Sequence, residues 1–163
     1  MQRRKSTVAA LVGLVGFVLA GLRGTLRRYV IAEQSMMPAL RDGDWVLAQR
    51  STGRLDRGEI VVFDHPRRPD FSLVKRVVGL PSETVTIRNG RVHIDGAVLE
   101  EPWADGPTRP DGEWELAADE VFVLSDARTL TFADGRAFGP IHHSAAPWRV
   151  RFRYWPLGDF GRI

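Results

Sequence analysis

The chain of 163 residues contains no cysteine. That excludes disulfide staples, thiolate-bound zinc or iron–sulfur clusters, and a thiol nucleophile. Lysine is nearly missing as well: of 23 Lys and Arg residues only Lys5 and Lys75 are lysine, leaving 21 arginines. Genomic codon bias accounts for such a ratio, and it sets apart any position that keeps lysine. No sign of charge dominates, since the formal net charge is only +3. No G-x-S-x-G elbow, H-E-x-x-H pair, Walker loop or G-x-G-x-x-G fingerprint occurs. His142 and His143 are adjacent, so in a strand their rings point to opposite faces and make a poor metal pair. No metal or other cofactor is expected. Nothing in the sequence places His65 or His93 near a serine, as a Ser-His-Asp triad would require.

Long apolar runs are scarce, and one stands out. Residues 6–22 (STVAALVGLVGFVLAGL) carry no charge over 17 positions. As a helix rising about 1.5 Å per residue this run spans roughly 26 Å, the short end of what crosses a bilayer. Arg23 can snorkel, and residues 24–26 add a further turn. Arg3, Arg4 and Lys5 precede the run, Arg23, Arg27 and Arg28 follow it, and no small-x-small cleavage site lies just downstream. The reading is a retained single-pass anchor within residues 1–28, with a weak lean to an inside N-terminus from the balance of flanking cations.

Beyond it the pattern changes to short strands rich in β-branched residues, expected at 45–49, 59–63, 72–78, 84–88, 91–94, 97–99, 121–124 and 148–154. Asn89-Gly90 and Asp95-Gly96 are two-residue hairpin signals, because Asn, Asp and Gly tolerate positive φ. Residues 101–112, with three prolines and two glycines, read as a loop. Residues 29–163 are therefore expected to form one mostly β domain. Residues 148–154 read W-R-V-R-F-R-Y, a period-2 alternation that puts Arg149, Arg151 and Arg153 on one face. A solvated strand face is the expectation there, with no nucleic-acid role; anionic lipid headgroups are the remaining candidate partner.

Two residues carry a candidate chemistry. Ser35 follows an apolar run and precedes Met36-Met37-Pro38, where the fixed φ of proline turns the chain and leaves the hydroxyl exposed at a strand end. Forty residues later Lys75 sits in L-V-K-R-V-V, where alternation gives it the face of Leu73 and Val77, opposite Val74, Arg76 and Val78. Burial there lowers a lysine pKa toward the range of a general base, whereas arginine stays protonated. A lysine that merely snorkels out of its strand fits the local sequence equally well.

Four segments in order extend this further. They are S-M-M-P-A-L-R-D-G-D-W-V-L (35–47), R-G-E-I-V-V-F (57–63), L-V-K-R-V-V-G-L-P-S-E-T-V (73–85), and E-V-F-V-L-S-D-A-R (120–128) running to A-D-G-R-A-F-G-P-I (133–141). Together they resemble the successive motif boxes of the type I signal peptidases. The resemblance covers almost the whole chain and implies a membrane-anchored, mostly β serine endopeptidase that removes signal peptides from preproteins after small residues. It also implies a single-pass bacterial plasma-membrane protein with its catalytic domain on the outer face, acting as a monomer.

By position in those boxes, Ser35 corresponds to the nucleophile and Lys75 to the general base. Asp134 and Arg136 correspond to the acid–base pair that braces the site, and Ile31, Met36 and Val74 to the lining of the small-residue pockets. The family's lysine-orienting serine has no serine counterpart; Thr131, one residue out of register, is the best hydroxyl. Two residues before the nucleophile the family has Ser or Gly, and here Glu33 stands. A carboxylate beside a developing oxyanion would destabilise it, so Glu33 is expected to point away, to be neutral or to mark altered activity. The family's Gly-Asp-Asn-Arg appears as Ser125-Asp126-Ala127-Arg128. Other readings are a LexA-like Ser–Lys self-cleaving peptidase, which shares the Ser-Met pair, and a membrane-tethered β module with impaired catalysis.

Overall fold

A computed structural model describes residues 24–163. The expected anchor at 6–22 lies outside the described residues, among which no helix is long and apolar enough to cross a membrane. Among the described residues, twelve strands form two antiparallel sheets. The larger contains β1 (Leu26–Val30), β2 (Trp45–Arg50), β3 (Ile60–His65), β4 (Arg68–Gly79), β9 (Glu120–Leu124), β10 (Ile141–His142), β11 (Trp148–Trp155) and β12 (Gly161–Arg162). Its order is β1-β2-β11-β3-β4-β9-β10, with β12 added to β11. The smaller runs β7-β6-β5-β8, from β5 (Thr84–Arg88), β6 (Arg91–Ile94), β7 (Ala97–Val98) and β8 (Gly112–Glu115). One helical turn, α1 (Gly135–Phe138), precedes β10.

The middle of the large sheet is buried on both faces, which is why β3 opens with a short apolar run and β9 closes with one, while β4 is buried only from Leu73 onward and carries Lys75 and Arg76 there. Val61, Phe63, Leu73, Val77, Val121 and Val123 share one core. Ile60 and Val62 turn to a second, with Ile31, Met36, Leu40, Val46 and Val150, and Val74 packs against it. Val78, Phe122 and Leu124 join the small sheet through Val85, Ile87 and Val92. The hairpins form where expected: Asn89, Gly90, Asp95 and Gly96 all have positive φ.

Four features differ from the sequence reading. β1 begins at Leu26 and pairs with β2 along its length, so residues 26–28, expected on the anchor side, belong to the sheet. β8 continues the proline-rich loop as a strand on β5, with Val85 opposite Trp114. Two register shifts break the alternation of β11 between Val150 and Phe152 and between Arg153 and Trp155. Finally, the arginine face is not merely solvated: Arg149 and Arg151 both reach Glu59 at 3.1 Å, and Arg153 reaches Asp44 at 3.0 Å.

A candidate Ser–Lys active site

Ser35 begins the turn after β1, and its neighbour Met36 is buried in the second core, anchoring that turn. Lys75 sits mid-β4 between Leu73 and Val77 at 2 % exposure. From opposite sides the two side chains meet, with Lys75 Nζ donating to Ser35 Oγ at 2.9 Å. The alternation of β4 thus holds, and the lysine is buried rather than snorkelling.

Burial lowers the Lys75 pKa from its ordinary 10.5 to about 8, helped by the nearby Arg136 charge. Asp134, Glu33 and Asp126 oppose the shift by favouring the ammonium. Desolvation wins, because the Nζ is out of water while no carboxylate is bonded to it. A lysine poised near 8 has a lone pair for a good part of its population at mildly alkaline pH, which a general base needs.

The acid–base pair is built as an N-cap. Asp134 caps α1 and accepts from Arg136 N at 3.1 Å, Arg136 Nε at 2.9 Å and Nη2 at 2.7 Å, and from Ser125 N at 3.0 Å. Burial would push its carboxyl up, but the Arg136 bonds and charge and the Ser125 N–H outweigh it and hold the pKa below the usual value. Arg136 in turn donates to the carbonyls of Arg109, Arg128 and Thr131. The pair ties the 125–136 loop into one body beside the dyad.

Ile31, Met36 and Val74 come together as expected. With Val62 and Phe71 they line a cleft of about 120 Å³ that has Ser35 and Lys75 in its wall. Thr131 does not join Lys75: its Oγ1 accepts the Ala133 N–H at 3.1 Å, and its carbonyl takes Arg136. Glu33 is exposed at the cleft edge with φ 127, while its N–H donates to Asp42. His65 accepts from Arg67 N, and His93 is buried in the small sheet; neither is hydrogen-bonded to Ser35. His142 contacts the Asp119 carboxylate and His143 the Asp119 carbonyl, so both rings turn to one residue.

Sequence reasoning did not find two supports. Arg76 grips Asp126 with two bonds, of 2.8 and 2.5 Å, on the sheet face opposite Lys75. The N–H of Ala127 donates to the Ser35 carbonyl at 3.1 Å, fixing the Ser35 backbone from the end of β9. Strand alternation through Lys75-Arg76 and Ser125-Asp126 was the signal for the first. A backbone contact across more than ninety residues leaves no local trace.

Comparison with known proteins gives the family of the chain. Residues 4–155 match the family model described as signal peptidase, peptidase S26. The chain belongs to that family. It is 32 % identical over 168 residues to a signal peptidase I of Leptolyngbya laminosa, covering 93 % of this chain and 80 % of the relative. A signal peptidase IB of Staphylococcus aureus is 29 % identical over 170 residues, covering 90 % and 87 %. Among solved structures, a signal peptidase I from Enterococcus faecalis superposes with a TM-score of 0.50 at 26 % identity, covering 58 % of this chain and 95 % of that one. Membership carries the activity: a serine peptidase that cleaves signal peptides from preproteins.

Proposed function

We propose that Ser35 and Lys75 perform this cleavage as nucleophile and general base. The observation that carries the reading is the 2.9 Å contact between Ser35 Oγ and a lysine 2 % exposed. Neutral Lys75 takes the Ser35 proton as Oγ attacks the scissile carbonyl carbon. The resulting ammonium returns that proton to the departing amine, and water hydrolyses the acyl-enzyme by the reverse relay. The Ser35 N–H has no acceptor among the described residues, so it is free to donate to the oxyanion. Serine and lysine supply every proton transfer in this scheme, so it calls for no cofactor.

Substrate enters as an extended strand. Residues 68–74 of β4 pair with β3 on one side only, because β9 joins from Arg76 onward, and β1 is the edge of its sheet. A peptide laid between 29–33 and 71–75 finds open backbone groups on both flanks. Alternate side chains then point into the cleft, where Ile31, Met36 and Val74 leave room for small residues three before and immediately before the cut. Asp134 and Arg136 brace the wall behind the lysine, and Thr131 contributes to that brace through its carbonyl.

We infer a single-pass setting in the bacterial plasma membrane, with the anchor in the residues before β1, the peptidase unit running from β1 (Leu26) to residue 163 on the outer face, and a monomer as the working form. Exposed Val30, Trp45, Trp155, Leu157 and Phe160 support a lipid-facing edge, since β1, β2 and β11 carry the first three and the last two follow β11. The arginines of β11 pair with protein carboxylates, Arg149 and Arg151 with Glu59 and Arg153 with Asp44. Incubating the detergent-solubilised full chain with a preprotein and reading the product's new N-terminus by mass spectrometry tests the reading. A single cut after a small residue is expected; intact preprotein, or cuts scattered through it, contradicts it.

A further inference from the structure

Ser125 is the feature of this wall that the scheme above leaves unused. Its hydroxyl is wholly buried, at 0 % exposure, and Oγ has no hydrogen-bond partner. Buried hydroxyls are almost always bonded, so one without a partner beside a catalytic lysine needs a reason. The register of the sheet supplies it. Arg76, opposite Leu124, and Val77, opposite Val123, are the pairs nearest the end of β9, and the same register continued one residue past that end brings Lys75 opposite Ser125. Leu73 and Val77 share a core with Val121 and Val123, so the alternation places the side chains of Lys75 and Ser125 on that same face. Directly opposed residues have Cβ atoms about 4.5–5.5 Å apart, within reach of a lysine head group and a hydroxyl.

Competing partners are already occupied. Asp134, the nearest acceptor tied to Ser125, receives four N–H bonds, about the capacity of a carboxylate. The Thr131 hydroxyl is held by the Ala133 N–H. Lys75 Nζ, by contrast, makes one bond, to Ser35. We propose that Ser125 is the positioning residue of the dyad: its hydroxyl accepts a hydrogen bond from a Lys75 Nζ N–H and so aims the single lone pair of the neutral amine at Ser35 Oγ. The Ser125 N–H to Asp134 at 3.0 Å holds the Ser125 backbone in place, so the proposed bond is made by the hydroxyl turning about the side-chain torsion. This rests on the Ser35–Lys75 reading and gives the chain its own solution to a hydroxyl that the family places elsewhere.

The charged groups around Lys75 are Asp134, Glu33, Asp126 and Arg136, and none is altered by changing Ser125. A hydroxyl acceptor favours the ammonium, so removing it lowers the lysine pKa. Ser125→Ala is therefore expected to cut kcat 10- to 100-fold at an unchanged KM, while the rising limb of kcat/KM moves to lower pH. The assay is preprotein cleavage by the full chain in detergent, with folding checked by thermal unfolding. Thr131→Val is expected to leave that limb where the wild type has it. Ser125→Gly, which also lacks the hydroxyl and has a smaller side chain, should reproduce the Ser125→Ala result if a folding defect clouds the first variant. An unshifted limb with wild-type kcat in a folded Ser125→Ala protein overturns the proposal, as does a shifted limb in Thr131→Val alone. Lys75→Arg and Ser35→Ala run alongside separate the two ideas: activity in either refutes the dyad itself, whatever Ser125 does.

Discussion

Replacing Lys75 by methionine should destroy activity and stabilise the fold. The ammonium is buried in a protein where no carboxylate is bonded to it, and that cost is written in its pKa, lowered from 10.5 to about 8. At about 1.36 kcal/mol per pH unit the difference corresponds to roughly 3 kcal/mol. Methionine keeps the length and apolar stem of the lysine and removes the charge. It also strips Ser35 Oγ of its partner, which costs about 1 kcal/mol, so the net gain is about 2 kcal/mol. The sign follows from proton counting. Below pH 8 both the folded and the unfolded lysine are charged, and the wild type bears the whole penalty. Between about 8 and 10.5 the folded lysine has lost its proton while the unfolded one keeps it, so wild-type stability rises with pH. Lys75→Met should therefore melt several degrees above wild type at pH 6–7, at roughly 2–4 °C per kcal/mol, with the gap closing toward pH 10.5. Thermal unfolding of both full-length proteins across that range measures it. A methionine variant that melts at or below wild type at pH 6–7 would refute the claim that this site holds a desolvated charge.

The same titration governs catalysis, so kcat/KM of the wild type should climb through about pH 8 and then level off. Glu33→Gly should move that climb to lower pH, because Glu33 favours the ammonium, and should add about 1 kcal/mol of stability by freeing a non-glycine residue from φ 127; an unmoved limb and melting point would contradict both arguments. A preprotein with alanine one and three residues before the cut should be processed, whereas phenylalanine at either position should block it; equal product by gel would remove Ile31, Met36 and Val74 from the specificity argument. Protease added to intact spheroplasts should degrade the β domain, and protection matching that of a cytoplasmic control would reverse the proposed sidedness.

Much of the fold was legible because the sheet is patterned in ways that sequence displays. The strands at 84–88 and 91–94 follow from turn residues that demand positive φ, Asn89-Gly90 and Asp95-Gly96, at fixed spacing. Lys75 could be given its face from alternation alone, since a strand has only two. What remained hidden depends on contacts distant in sequence. Residues 26–28 look like an anchor flank because they are arginine-rich, yet Arg27 lies over the rings of Tyr29 and Trp148 and its strand pairs with β2. The bulges of β11 defeat a strict period-2 reading, and they turn Phe152 outward to 43 % exposure. Motif position alone points to Thr131 as the orienting hydroxyl. The N-cap geometry of Asp134 instead curls that loop so that Arg136 takes the Thr131 carbonyl. Ser125 was visible only as a departure from the family pattern, and its place opposite Lys75 emerges from the ladder register.

In the proposed mechanism a neutral lysine, and no histidine, takes the proton from Ser35. Cleavage of a preprotein by folded Lys75→Arg protein tests it most directly, because guanidinium keeps the positive charge at this position but cannot release its proton at any accessible pH. Lys75→Arg protein that melts as a folded domain should give no product at any pH between 6 and 10, in an assay where wild type cuts at one site. Substantial cleavage at the wild-type site by Lys75→Arg would contradict the mechanism.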